Sequence, residues 1–198
     1  MVGKAKDRRV QRTRKLLLDA LMDLILEKGY ESITVQDIID RANVGRSTFY
    51  AHFPDKQQLL LSAVEEHEFL FDQQRVAQTG PGERMLSFSL PICQHAAENQ
   101  RIFQVMFGKQ SWAVLQEHVL RTLAGVVRRE LTVLMPRNGA TTVPLEAIVQ
   151  YTVSSFMALL LWWLEQKTPC SPEEMDRTFR ALTLPGIKAT LNLPATLG

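Results

Sequence analysis

Seven consecutive residues, Arg46 to His52, carry side chains suited to reading a polyanion. At about 100° per residue, Phe49 and Phe53 point the same way and are expected to anchor a short helix in a core. That turns Ser47 and Ala51 outward, with Arg46 and Tyr50 on one edge and Thr48 and His52 on the other. The resulting polar surface is sized for a DNA major groove. Arg46 can donate to guanine, Ser47 or Thr48 to either base type, and Ala51 can touch a thymine methyl. Taken alone, Tyr50 also fits a half-buried packing residue and His52 a solvated polar one. Lys56 stands in the first turn of the next expected helix, where the macrodipole disfavours a cation by about 0.3 to 1 kcal/mol. A phosphate at that position reverses the sign, because helix N-terminal N–H groups and a lysine both favour an anion.

Charge along the chain points to the same kind of partner. Of the 198 residues, the first fifteen hold seven basic side chains (Lys4, Lys6, Arg8, Arg9, Arg12, Arg14, Lys15) against Asp7 alone. That stretch carries +6 within a net charge of +2, which leaves −4 on the remainder. Such asymmetry suggests a polyanion held at one end, with nucleic acid and anionic lipid both fitting. Enzyme chemistry finds no constellation. Cys93 and His95 are two residues apart, so about 200° of helical turn separates them. "EEHE" at Glu65 to Glu68 has no second histidine at i+4 for a zinc-protease pattern. No catalysis, cofactor or metal is expected. Two cysteines, Cys93 and Cys170, fit neither a disulfide scaffold nor a zinc spacing, which suits a reducing compartment. The basic start leads into an amphipathic pattern and not into an apolar signal segment, so a cytoplasmic protein is expected.

The elements that must position these residues are helical. Apolar residues recur at helical spacing and no sustained run alternates with period two, so the fold class is all-α, with about nine helices. A hydrophobic content of 45% supports a real core. The first helix reads from about Arg8 to Lys28, with Val10, Leu17, Leu21, Leu24 and Ile25 on one side. Gly29 is expected at a left-handed C′ position, with Tyr30 packing back on Ile25. Thr34 caps the second helix with Asp37 at N3, and Ile33 faces Ile38 as a staple. Asn43 tolerates the left-handed turn before a third helix from about Arg46 to Phe53, completing a helix-turn-helix. Asp55 caps a fourth helix that runs to the break "TGPG" at Thr79 to Gly82. Further helices are expected near 83 to 98, 100 to 107, 111 to 134, 144 to 167 and 171 to 188. Pro91 should kink or break the first of these. Pro144 suits a first turn, and "SPEE" places Ser171 as N-cap and Glu174 at N3. The apolar run Phe156 to Leu164 is too short for the roughly 20 residues of a membrane span, so no membrane partner is expected.

"RANVGRSTFYAHFPDKQQLL", Arg41 to Leu60, extended back through "GYESITVQDIIDRANV", resembles the signature of the TetR family of bacterial transcriptional regulators. Asn43 stands where many relatives have glycine and Gly45 where many have serine, which removes a capping hydroxyl from the recognition helix. The resemblance implies that Tyr50, His52, Thr34 and Lys56 contact phosphates. It also implies a helix-turn-helix domain over 1–54 with a basic N-terminal tail, and a helical ligand-binding and dimerisation domain over 55–198.

Reading a palindromic operator needs two recognition helices about 34 Å apart, so a homodimer on double-stranded DNA is expected. By the resemblance the last two helices pair with their symmetry mates, which makes Phe156, Leu160, Trp163, Met175, Phe179 and Leu182 candidate interface residues. Met85, Phe88, His95, Phe103, Met106, Phe107 and Trp112 form an aromatic and methionine-rich set. It fits either a pocket for a small apolar or amphipathic effector or plain core. The expected function is a repressor that such an effector releases from its operator. Alternatives are an architectural or division-linked DNA-binding protein and a helical protein on an anionic membrane surface.

Overall fold

The computed structural model describes residues 2–66, 85–106, 110–135 and 141–193. Among them the chain is helical, without strands. The helices are α1 (Val2–Lys28), α2 (Val35–Ala42), α3 (Arg46–His52), α4 (Lys56–Glu66), α5 (Ser89–Glu98), α6 (Gln100–Met106), α7 (Gln110–Leu134), α8 (Leu145–Glu165) and α9 (Pro172–Thr190), with a 3₁₀ turn at Tyr30–Ser32. The expected continuation of α4 to Gln78 and the break at Thr79 to Gly82 lie outside the described residues. Two compact units result, residues 1–67 with 101–118, and residues 68–100 with 119–198.

In the first unit Leu17, Leu21, Leu24 and Ile25 of α1 pack on Ile38 and Ile39 of α2, Phe49 of α3, and Leu59 and Leu60 of α4. Met106 and Leu115 join the same cluster, so the unit does not follow a single cut in the chain. Val10 does not belong to this buried face: it is 37% exposed, and the first buried side chain of α1 among the described residues is Leu17. The end of α1 also differs from expectation. Gly29 has φ 75 but ψ 149, so it is not the left-handed helical residue of a Schellman stop. Its N–H donates to the Ile25 carbonyl at 3.0 Å, and the extended ψ sends the chain into the 3₁₀ turn that buries Tyr30. The positive φ still favours glycine.

In the second unit α5, α8 and α9 pack on one another. Phe88, Phe156 and Phe179 meet with ring centroids 4.9 to 6.2 Å apart. α8 is long and apolar enough to cross a membrane by composition. Phe156, Leu160, Trp163 and Leu164 are nevertheless buried within the unit, as in the core helix of a globular domain. Pro91 neither kinks nor breaks α5. The helix starts at Ser89, which puts Pro91 in its first turn, where the missing N–H has no intrahelical acceptor to lose. Pro144 is likewise one residue outside α8, its carbonyl accepting from Ala147 and Ile148. Ser171 and Glu174 form the expected capping box of α9, whereas Pro185 inside that helix was not anticipated.

A half-buried polar cluster fixes the entry to α5. Leu86 has φ 59, a conformation costing about 1 to 2 kcal/mol for a non-glycine residue. The Glu130 carboxylate accepts from the N–H of Leu86 at 2.8 Å, the N–H of Ser87 at 3.3 Å and the Ser87 hydroxyl. Arg180 donates to the Met85 carbonyl at 2.6 Å. Burial pushes the Glu130 carboxyl above its ordinary range, and the Ser87 hydroxyl, the backbone N–H groups and Arg180 pull it back.

Candidate nucleic-acid interface

Thr34 starts the site by capping α2. Its Oγ1 accepts from the Asp37 N–H at 3.2 Å, while its own N–H and hydroxyl donate to Asp37 Oδ2 at 2.7 and 2.6 Å. Lys28 completes the corner at 2.9 Å from Asp37 Oδ1. The Thr34 hydroxyl and Lys28 hold the Asp37 carboxyl well below the usual carboxylate range. Both donors of Thr34 point at Asp37 and the Asp37 N–H is taken by Thr34 Oγ1, so the Val35 and Gln36 amides are the first-turn donors of α2 that the capping box does not use.

Asn43 then takes the left-handed conformation, φ 50 and ψ 50, and Val44 donates to the Ile39 carbonyl at 3.0 Å. Gly45 begins α3 with φ −75 and supplies no side-chain cap. Phe49 and Phe53 are buried, and this places Arg46, Ser47, Tyr50 and Ala51 in the open, with Thr48 and His52 half-exposed. Tyr50 is 50% exposed, standing edge-on to Phe49 at 5.3 Å, with the Arg46 guanidinium 6.0 Å from its ring. Arg46, Ser47, Thr48, Tyr50 and His52 thus come to one surface.

Two anchors hold α2 and α4 in place, and neither was legible in local spacing. Arg41 makes a two-pronged bridge to Glu27 at 2.8 and 2.6 Å, which ties α2 to α1. The Lys56 ammonium donates to the Ile33 carbonyl at 2.7 Å and the Tyr30 carbonyl at 3.0 Å, and lies 4.4 Å from the Tyr30 ring. Burial lowers the Lys56 pKa and raises that of Tyr30 to about 12. Of the three donors that lysine has, these carbonyls take two.

The six candidate interface residues divide by burial within the single chain. Phe156, Leu160, Trp163, Met175 and Phe179 are buried inside the second unit, where their own chain covers that face. Leu182 alone of the six is open, at 63%. The open face of α8 carries Tyr151 and Trp162, 59% and 48% exposed, with Ala147, Ser154 and Ala158 at helical spacing between and before them. Periodicity alone marked α8 as apolar all round and did not say which side α5 and α9 would take. The aromatic and methionine set is divided between the two units. Met85, Phe88 and His95 belong to the second unit, Phe103, Met106 and Trp112 to the first, and Phe107 lies outside the described residues. Met85, Phe88 and Met106 are core residues, whereas His95, Phe103 and Trp112 are half-buried.

A capped helix, a three-residue turn and a second helix with a polar open face define a helix-turn-helix regulator. Residues 17–63 match the bacterial regulatory proteins of the tetR family, and residues 83–184 match the transcriptional regulator C-terminal region. The HTH-type transcriptional repressor KstR of Rhodococcus jostii is 36% identical over 162 residues, covering 78% of this chain and 74% of KstR. The uncharacterised HTH-type transcriptional regulator YxbF of Bacillus subtilis is 29% identical over 87% of this chain, which spans only 45% of that relative's length. Among solved structures, RolR in complex with resorcinol is similar at a TM-score of 0.59 and 25% identity, covering 92% of each chain. The chain belongs to the tetR family of bacterial regulatory proteins, a family of regulators and not of enzymes.

Proposed function

We propose that the protein is a transcriptional repressor that binds a palindromic operator as a twofold homodimer in the cytoplasm and is released by a small apolar or amphipathic effector. The observation that carries this reading is the open face of α3. Phe49 and Phe53 are fixed in the core while Arg46, Ser47, Tyr50 and Ala51 stand clear of it. Arg46, Ser47 and Thr48 read base edges. Tyr50, His52, Lys56 and the start of α2 at Thr34 hold phosphates. The N-terminal half thus reads DNA and the C-terminal half senses and dimerises.

Dimerisation is assigned to the faces left open by a single chain, namely Tyr151, Ala158 and Trp162 of α8 with Leu182 of α9. Exposed aromatic and aliphatic side chains on neighbouring helices are the surface a second copy would cover. Repression is supported by the likeness to KstR, and control by a small molecule by the likeness to RolR, whose structure holds resorcinol. His95, Phe103 and Trp112 retain surface for such a ligand within their own units.

Selection of bound fragments from random duplex DNA tests the reading. A repressor of this kind enriches an inverted repeat, and a panel of small aromatic and acyl compounds contains members that lower affinity for it. Affinity that no compound changes would favour a constitutive DNA-binding protein.

A further inference from the structure

Two carboxyls and one guanidinium crowd the turn that leads into α5. Glu130 of α7 accepts from the Leu86 N–H, the Ser87 N–H and the Ser87 hydroxyl, so three donors answer its charge. Asp176 of α9 is served differently. Its Oδ1 is hydrogen-bonded to the Ser89 hydroxyl, whose oxygen also stands 2.8 Å from the Leu86 carbonyl. Ser89 is fully buried, and a hydroxyl has a single hydrogen to give. With Asp176 ionised, Ser89 faces two acceptors with that one hydrogen, and one contact becomes a bare oxygen pair. With a proton on Asp176, the acid donates to Ser89, Ser89 donates to the Leu86 carbonyl, and both contacts are hydrogen bonds.

The surrounding charges agree. Arg180, whose guanidinium is engaged with the Met85 carbonyl, carries one positive charge against the two carboxyls. On α9 itself Arg177 is exposed, and Glu173 adds a negative charge while accepting from Gln94 of α5 at 3.0 Å. From α5 comes the Cys93 thiol, which burial pushes up to about 12, and Cys170 lies just ahead of α9. α8 contributes Phe156, its acids Glu146 and Glu165 being exposed at its two ends. Burial raises the Asp176 carboxyl above its ordinary range, while Ser89, Arg180 and Arg177 pull it back. We infer that Asp176 keeps its proton in the folded protein and, through Ser89, latches the left-handed Leu86 turn at the entry to α5, and that rising pH loosens this latch by removing the proton. The Ser89 hydrogen then turns to the carboxylate, the Leu86 carbonyl loses it, and a second negative charge is left in a half-buried site. The folded pKa is raised, so the stability Asp176 confers is present below the unfolded value of about 3.9 and lost as pH rises through the folded one. The C-terminal half thereby holds an element sensitive to alkaline shift.

The test uses the full chain with its aspartate carboxyl carbons isotopically labelled and followed by NMR across a pH series. The Asp176 signal is the one missing from Asp176→Asn, whose amide can donate to Ser89 as the acid does. If that variant does not fold, the signal is the one displaced in Ser89→Ala. It should titrate well above the unfolded aspartate value of about 3.9. Amide exchange at Leu86 and Ser87, corrected for intrinsic base catalysis, should quicken several-fold in the wild type over the same pH range and stay level in Asp176→Asn. Urea resistance of the wild type should fall relative to Asp176→Asn across that range, a difference that isolates Asp176 from Glu130, which titrates in the same direction. Titration of Asp176 at or below the unfolded value would overturn the inference. So would exchange at Leu86 and Ser87 that ignores the titration, because the proton would then hold no turn.

Discussion

Tyr50 and Arg46 sit side by side on α3, yet their substitution should read out differently. Tyr50→Phe removes a neutral phosphate donor, so affinity should fall on every sequence while the salt slope stays the same, because no positive charge is lost, measured by fluorescence anisotropy across a salt series. Arg46→Ala should cost about 1 to 3 kcal/mol on the preferred operator and relax choice at one or two base pairs, measured on single-base operator variants. Equal loss on all variants would contradict its base-reading role. Asp37 illustrates charge in the scaffold. Its folded pKa is depressed, so the stability it confers is present above the unfolded carboxylate value and lost as pH falls through the folded one. Wild type should therefore lose urea resistance below about pH 4 more steeply than Asp37→Asn. The outward set of α3 was legible because the Phe49 and Phe53 spacing fixes the helix phase. Lys56 was only half legible. Its helix-start position indicated an anion, but the carbonyls it holds come from residues 23 and 26 positions earlier, beyond the reach of any local pattern.

Among the elements, capped helices were the most readable. The boxes Thr34 to Asp37 and Ser171 to Glu174 form as their residue types dictate, since each reciprocally satisfies donors that the helix leaves open. Gly29 and Pro91 were misread for one reason: a residue's permitted conformations limit the backbone without selecting the neighbouring path. Burial of Tyr30 selects an extended ψ at Gly29, and the turn held by Glu130 delays α5 until Pro91 falls harmlessly in its first turn. Gly45 offers a direct test of capping at α3. A Cβ built there meets nothing nearer than Thr48 Oγ1 at 3.8 Å, and its φ of −75 is open to any residue. Gly45→Ser should therefore stabilise the protein by about 0.5 to 1 kcal/mol, read as a higher melting temperature, with operator affinity maintained or improved.

For the whole molecule, apolar surface has two fates that the sequence did not separate. Five of six candidate interface residues close the core of one chain, while Tyr151, Trp162 and Leu182 remain open. Phe156→Ala should consequently destabilise the fold by about 3 to 5 kcal/mol in urea unfolding. Trp162→Glu with Leu182→Glu should leave the single-chain fold intact and shift sedimentation from two copies to one. Operator affinity should fall with that shift, because one recognition helix covers only one half-site. The central claim is that two copies present α3 to successive major grooves, and selection from random duplexes at low salt tests it most directly. An enriched inverted repeat with half-site centres about one helical turn apart is the predicted result. Recovery of no shared sequence, from protein that sediments as a single copy, would contradict it.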